Sequence, residues 1–204
     1  MKPEHIEALS FKIIDEEAEN HNFSPDEWEI VRRMIHTSAD FEYIKTVRFH
    51  PGAISAGISA IRGGKPVITD TNMAKAGIRQ KDLKQFGGEV KCFIIDPRVN
   101  KIAEETGTTR AKAAVDIAAP EMEGGIYVVG NAPTALLRLI ELIEAGKGLP
   151  ALVVGLPVGF VNAAESKDAL VKSKITHISN IGRKGGSNVA ASVINALIKL
   201  ALKS

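Results

Sequence analysis

IYVVGNAPTALLRLIELIEAGKGLPALVV, residues 126–154, decides the fold. Ile126 to Val129 and Ala151 to Val154 are almost wholly apolar, the pattern of strands buried on both faces in the middle of a parallel sheet. Between them Asn131 and Pro133 open a helix that spans about 133–146, with asparagine as the cap and proline at the first position. The same rhythm extends outward. Further strands are expected at Pro66–Thr69, Val90–Ile95 and Ile175–Ser179, and helices at about 97–118, 162–172 and 188–203. Strand–helix alternation of this kind means a mainly parallel, five-stranded sheet with helices on both faces, an α/β fold in three α/β/α layers.

Before the first strand the chain reads as extra N-terminal helices. Pro3 to Glu19 places Ile6, Leu9, Ile13 and Ile14 at helical spacing. Ser24 and Glu27 form a capping box with Pro25 at the first helical position, and Trp28, Val31 and Ile35 make the apolar stripe that follows. A third helix follows Pro51 and stops at Gly63-Gly64. With no repeat or long linker, residues 1–204 are expected to form one domain.

The 204 residues carry 26 Lys plus Arg against 24 Asp plus Glu, so anion binding must be local and no general nucleic-acid surface is expected. Hydrophobic residues at 45% and charged residues at 25% exclude a disordered chain. Cys92 is the single cysteine, so no internal disulfide forms. The start, MKPEHIEALSFKII, has acids within its apolar stretch and does not read as a secretion signal, and no run of about 18 apolar residues suggests a membrane span. A cytoplasmic protein is the expectation.

Ligands of open parallel sheets bind beyond the carboxyl ends of the strands. There the sequence places Asp70-Thr71-Asn72-Met73, then Gly130-Asn131-Ala132-Pro133-Thr134, then a loop from Gly155 into Glu165-Ser166-Lys167, and finally Gly182-Arg183-Lys184-Gly185-Gly186-Ser187. Helix N-termini on such a rim favour anions. Two readings stand for 182–187: an anion loop armed with Arg183 and Lys184, or a glycine-rich turn with two solvated cations. It has neither the GxxxxGK[ST] order nor a GxGxxG partner. Asn131 and Thr134 serve either a ligand or the helix start, and Lys167 either reaches the rim or simply belongs to its helix.

Among the histidines, His5, His21 and His50 stand in polar or terminal settings and His177 alternates with Ile175 and Ile178 near a strand. His36 closes the Ser24 helix, with Arg33 one turn earlier on the same face. It is either a proton donor near neutral pH beside an anion-binding arginine or a histidine that satisfies the helix dipole. No metal-ligand spacing is present, so no protein-held metal is expected.

Six segments in order then carry a resemblance: SFKII (10–14), RRMIHTSADFEY (32–43), KPVITDTNMAKAGI (65–78), GNAPTALLRLIELI (130–143), PALVVGLPVGFVNAAESK (150–167) and GRKGGSNVAASVINALI (182–198). Together they are similar to precorrin-8X methylmutase and its cobalt-containing counterpart, cobalt-precorrin-8 methylmutase. The resemblance implies a flavodoxin-like fold and a homodimer with the active site near its interface. It also implies an isomerisation in cobalamin synthesis that moves a methyl group from C-11 to C-12 in ring C of a tetrapyrrole, giving hydrogenobyrinate or cobyrinate. No cofactor is implied, and any cobalt comes with the substrate. The catalytic histidine falls on His36, the substrate-contacting serine and arginine on Ser10 and Arg33, and the TR motif on Thr109-Arg110, which adds Arg110 as a substrate contact. His177 stands where an aromatic residue is common and Asn162 where glycine is common.

That chemistry suits the residues. A flat apolar ring fringed with carboxylates needs an apolar slot and scattered cations, here Arg33, Arg110, Lys167, Arg183 and Lys184. The residues alone leave three alternatives: a corrinoid carrier without catalysis, a phosphate- or nucleotide-binding enzyme using 182–187, or an interaction domain without a ligand.

Overall fold

The computed structural model describes residues 3–18 and 20–203. Helix α1 (Pro3–Glu17) is followed by α2 (Pro25–Ser38) and one turn, α3 (Tyr43–Thr46). The end expected for α1 at Glu19 lies outside the described residues. The capping box at the start of α2 is fully formed: the Ser24 hydroxyl accepts from the Glu27 N–H, and the Glu27 carboxylate accepts from the Ser24 N–H at 2.8 Å. The helix ends at Ser38, two residues beyond His36, and is closed by Ala39 in the left-handed region with φ 53°.

Strand β1 (Val47–Phe49) and helix α4 (Ala53–Arg62) lead into the repeating part. Its strands are β2 (Val67–Thr69), β3 (Val90–Cys92), β4 (Ile126–Val129), β5 (Leu152–Gly155) and β6 (His177–Asn180). Between them run α5 (Asn72–Gly77), α6 (Gln80–Leu83), α7 (Pro97–Thr106), α8 (Arg110–Ala118), α9 (Pro133–Glu144) and α10 (Ala163–Lys172), and α11 (Ser187–Lys203) follows β6.

The sheet has six strands, not five, in the order β1-β6-β5-β4-β2-β3. The five expected strands are all present and mutually parallel, while β1 adds to the edge antiparallel to β6, pairing Val47 with Asn180 and Phe49 with Ile178. The strand expected to reach Ile95 stops at Cys92, and the last strand is shifted to His177–Asn180. The single helix expected over 97–118 is two helices, because Gly107 turns the chain at φ 62° and Thr109 caps a new start by accepting from the Lys112 N–H. The short helices α5 and α6 are additions to the expected elements, and Thr71 caps α5 by accepting from the Ala74 N–H.

Every residue of β2, β4 and β5 is buried, as their lack of polar alternation requires. One sheet face, with Val67, Ile126, Val128, Leu152 and Val154, packs on α2, α4 and α11. The other, with Ile68, Tyr127, Val129 and Val153, packs under α8, α9 and α10. The stripe expected on α1 is corrected. Phe11 and Ile14 face the core, and Ile6, Leu9 and Ile13 stand exposed at 52%, 46% and 43%.

Candidate active site

The parallel strand order reverses between β2 and β4, and the crevice beyond their ends is where α/β sheets hold ligands. Here that crevice is filled by the chain itself. Asp70, at the end of β2, is buried, and its carboxylate accepts from three successive N–H groups, Gly130 (3.0 Å), Asn131 (2.8 Å) and Ala132 (2.9 Å). These donors were expected to meet an external anion; an internal carboxylate satisfies them instead. Burial pushes the Asp70 carboxyl up, against the pull of the three N–H groups. The same rim is tied by hydroxyl pairs, Thr71 with Ser187 (2.9 Å) and Thr109 with Thr134 (3.1 Å). The Asn131 and Arg110 side chains stand exposed beside them, with Arg110 donating to the Ile94 carbonyl at 3.1 Å.

Two expected cations are committed within the protein. Lys167 is fully buried and does not present itself at the rim; its Nζ donates to Asn180 Oδ1 (3.1 Å) and to the Lys184 carbonyl (2.5 Å). Burial pushes its amine down to about 8. Lys184 Nζ donates to Asp40 and Glu42, each at 2.6 Å, and so joins the 182–187 loop to the corner after α2. Burial works against the Asp40 charge, yet the Lys184 ammonium holds its carboxyl below the usual value. Arg183 is exposed, its guanidinium 5.5 Å from the ring centroid of the exposed Phe160. The loop's backbone is engaged as well: the Gly186 N–H donates to the Leu156 carbonyl at 2.9 Å, and Gly159 donates to Arg183 at 3.2 Å. One loop donor, the Gly186 N–H, and one loop acceptor, the Arg183 carbonyl, are thus committed to the neighbouring 156–159 segment.

The opening lies at the end of α2. Ser10, Ile13 and Ile14 of α1 face Ile35, His36 and Phe41 across an open cleft of about 440 Å³. Its walls are largely apolar, with the Ser10 hydroxyl, the His36 imidazole and the Glu17 carboxylate as the polar groups on the lining. The Ser10 Oγ donates to the Ile6 carbonyl at 2.9 Å, which leaves its lone pairs for a ligand. His36 is exposed on this cleft. Arg33, one turn back, donates to Glu7 at 2.9 Å, and the guanidinium holds the Glu7 carboxyl below its ordinary value. A second groove of similar size beside Phe49 and His50 contains none of the expected site residues.

The expected residues thus fall into three groups. Ser10 and His36 line the cleft, and Arg33 stands one turn before His36, paired with Glu7. Asn131, Thr134 and Arg110 lie on the β2–β4 rim. Lys167, Arg183 and Lys184 lie on the β6 rim, which Lys184 ties to the cleft. Sequence reasoning missed Glu7, Phe11 and Asp70. Asp70 carried a signal, an acid placed directly after a buried strand; Glu7 carried none beyond its spacing to the SFKII segment. The other histidines sort as their surroundings dictate. His177 packs, its ring Nδ1–H donating to the Ile175 carbonyl (2.7 Å), and burial lowers its pKa. His21 is only half-exposed, stacked on Trp28 at 4.0 Å. Asn162 adopts φ 60°, a backbone that asparagine tolerates and glycine prefers.

Fold and cleft define an α/β protein with an apolar slot beside one imidazole, on helices added ahead of a parallel sheet. The profile of the precorrin-8X methylmutase family matches residues 5–200. Cobalt-precorrin-8 methylmutase of Priestia megaterium is 49% identical over 98% of this chain and 89% of its own length. The Salmonella typhimurium protein of that name is 47% identical over 97% of this chain and 95% of its own. The crystal structure of precorrin-8X methylmutase from Thermus thermophilus superposes with a TM-score of 0.91 at 46% identity, covering 98% of this chain and 97% of that one. The chain belongs to the precorrin-8X methylmutase family and is an isomerase, an intramolecular methyl transferase. Among the described residues no helix is long and apolar enough to cross a membrane.

Proposed function

We propose that this protein converts cobalt-precorrin-8 or precorrin-8X to cobyrinate or hydrogenobyrinate by moving a methyl group from C-11 to C-12 of ring C. The observation that carries the reading is the shared cleft: His36 and Ser10 meet across largely apolar walls, with Glu17 the one carboxylate on the lining, as suits a flat ring with a polar edge. His36 lends a proton or strong hydrogen bond to the ring C nitrogen and draws electron density from the conjugated system. The C-11–methyl bond breaks as the C-12–methyl bond forms in a 1,5-migration. Substrate and product are isomers, so the lent proton is recovered and no cofactor is consumed; cobalt, when present, arrives with the substrate. General-acid help of this kind contributes roughly 10²–10⁴-fold. Ser10 and Arg33 hold the ring beside His36, and Asn131, Thr134, Arg110 and Arg183 meet carboxylates at its edge. Lys167 and Lys184 act through the loop they tie.

The protein works as a cytoplasmic homodimer with the cleft near the interface. The exposed Ile6, Leu9 and Ile13 on α1, beside a cleft too open to enclose a macrocycle, support a second copy as its outer wall. The parallel strands alone follow the flavodoxin-like order, which supports the fold that the resemblance implies. Purified protein incubated with metal-free and cobalt-containing substrate is expected to change the absorbance of one or both to that of product. His36→Ala is expected to bind the ring and lose turnover by at least 100-fold. Wild-type protein that only shifts the spectrum on binding is a carrier, and a His36→Ala protein with parental turnover removes the imidazole from the mechanism.

A further inference from the structure

An acid catalyst needs its proton aimed, and among the described residues no hydrogen bond holds the His36 imidazole. What it does meet is an aromatic ring. The Phe11 and His36 ring centroids lie 5.0 Å apart, tilted by 43°. Phe11 projects from α1 toward α2 and is only 9% exposed, so its own ring is fixed by the core. The same phenyl receives Arg32 at 4.6 Å, Arg33 at 5.1 Å and Lys199 of α11 at 5.5 Å. Each of those three cations has a carboxylate of its own. Arg32 is paired with Asp15 and Glu29, Arg33 with Glu7, and Lys199 with Glu29. His36 differs from them in having no ion-paired or hydrogen-bonded carboxylate: Glu7 acts on it only through space, and its direct contact is the Phe11 ring.

Building on the reading above, we infer that Phe11 is the positioning residue for His36: its buried ring limits the imidazole to the pose that faces the cleft. Arg33 does not depend on Phe11 in the same way, because Glu7 restrains its guanidinium independently. Losing the phenyl therefore disturbs the proton donor more than the ligand clamp. Misplacing a reacting group by about 1 Å costs on the order of 100-fold in rate.

Phe11→Leu, which preserves most of the core volume, tests this against Phe11→Tyr, which retains the ring. Phe11→Leu is expected to lower kcat at least tenfold with KM within about threefold of the parent, and Phe11→Tyr to restore kcat. Leu139→Ala, on the opposite face of the sheet, controls for lost stability and is expected to leave kcat alone. In the substrate-free protein, the His36 ring proton resonances are expected to move and broaden in Phe11→Leu but not in Phe11→Tyr. Parental kcat in Phe11→Leu, a loss confined to KM, or unmoved His36 resonances would each overturn the inference. If wild-type protein converts neither substrate, the proposed activity fails instead, and the resonances still decide whether Phe11 positions the imidazole.

Discussion

Lys167 shows what a single residue can hide from sequence reasoning. Its place after a strand-end loop suggested a cation on the rim, yet helical phase turns it inward, where its partners are an amide oxygen and a backbone carbonyl. No spacing rule distinguishes those two outcomes, because burial depends on which loop packs above. Burial lowers the Lys167 pKa to about 8, with Asp168 pulling the other way, while an unfolded lysine titrates near its ordinary value of 10.5. Between these pH values the unfolded chain binds more protons, so this group makes stability rise with pH across that window; below about 8 the full burial penalty is present. Urea unfolding of wild type and Lys167→Met at pH 7 and pH 10 is expected to show the wild type gaining relative to the variant at the higher pH. Parallel behaviour of the two proteins would mean that the amine is not desolvated as described. His36 and Ser10, by contrast, were legible as part of recognisable segments, and the structure brings both to one cleft.

At the scale of elements, legibility followed the strength of local chemistry. The α2 start was readable because a capping box and a first-turn proline act within four residues. The central strands were readable because burial on both faces leaves an uninterrupted apolar run. Strand β1 was not: Val47-Arg48-Phe49 is three residues long, and its pairing with β6 lies more than a hundred residues away. The break between α7 and α8 was written in Gly107 and the Thr109 cap, but the apolar pattern on either side masked it. The β6–α11 loop, open in the sequence between an anion loop and a glycine-rich turn, packs closely on the 156–157 backbone. A Cβ on Gly185 would collide with the Leu156 carbonyl oxygen and come within 2.8 Å of that of Pro157. Gly185→Ala is therefore expected to cost about 2 kcal/mol, as overpacking against backbone typically does. That corresponds to a fall in Tm of roughly 4–8 °C for a chain of this size. An unchanged Tm would show that the two loops separate easily.

For the whole molecule, the α/β class was readable from the alternation of elements, but the docking of the N-terminal helices was not. Nothing local states that α2 rests on α11, although α11 packs against α2, α4 and α5 and supplies much of the core on that face. The first and last parts of the chain thus close one another. In hydrogen-exchange pulse labelling during refolding, the α2 amides are expected to gain lasting protection only together with those of α11; earlier protection of α2 alone would contradict this dependence. The arrangement has a consequence for biosynthesis. Roughly 150 residues separate the end of α2 from the start of α11, which at about 5–20 residues per second is a delay of roughly 8–30 seconds on the ribosome. Throughout that interval Ile30, Val31, Met34 and Ile35 wait for the surface that will cover them, so the nascent chain is a natural client for holding chaperones.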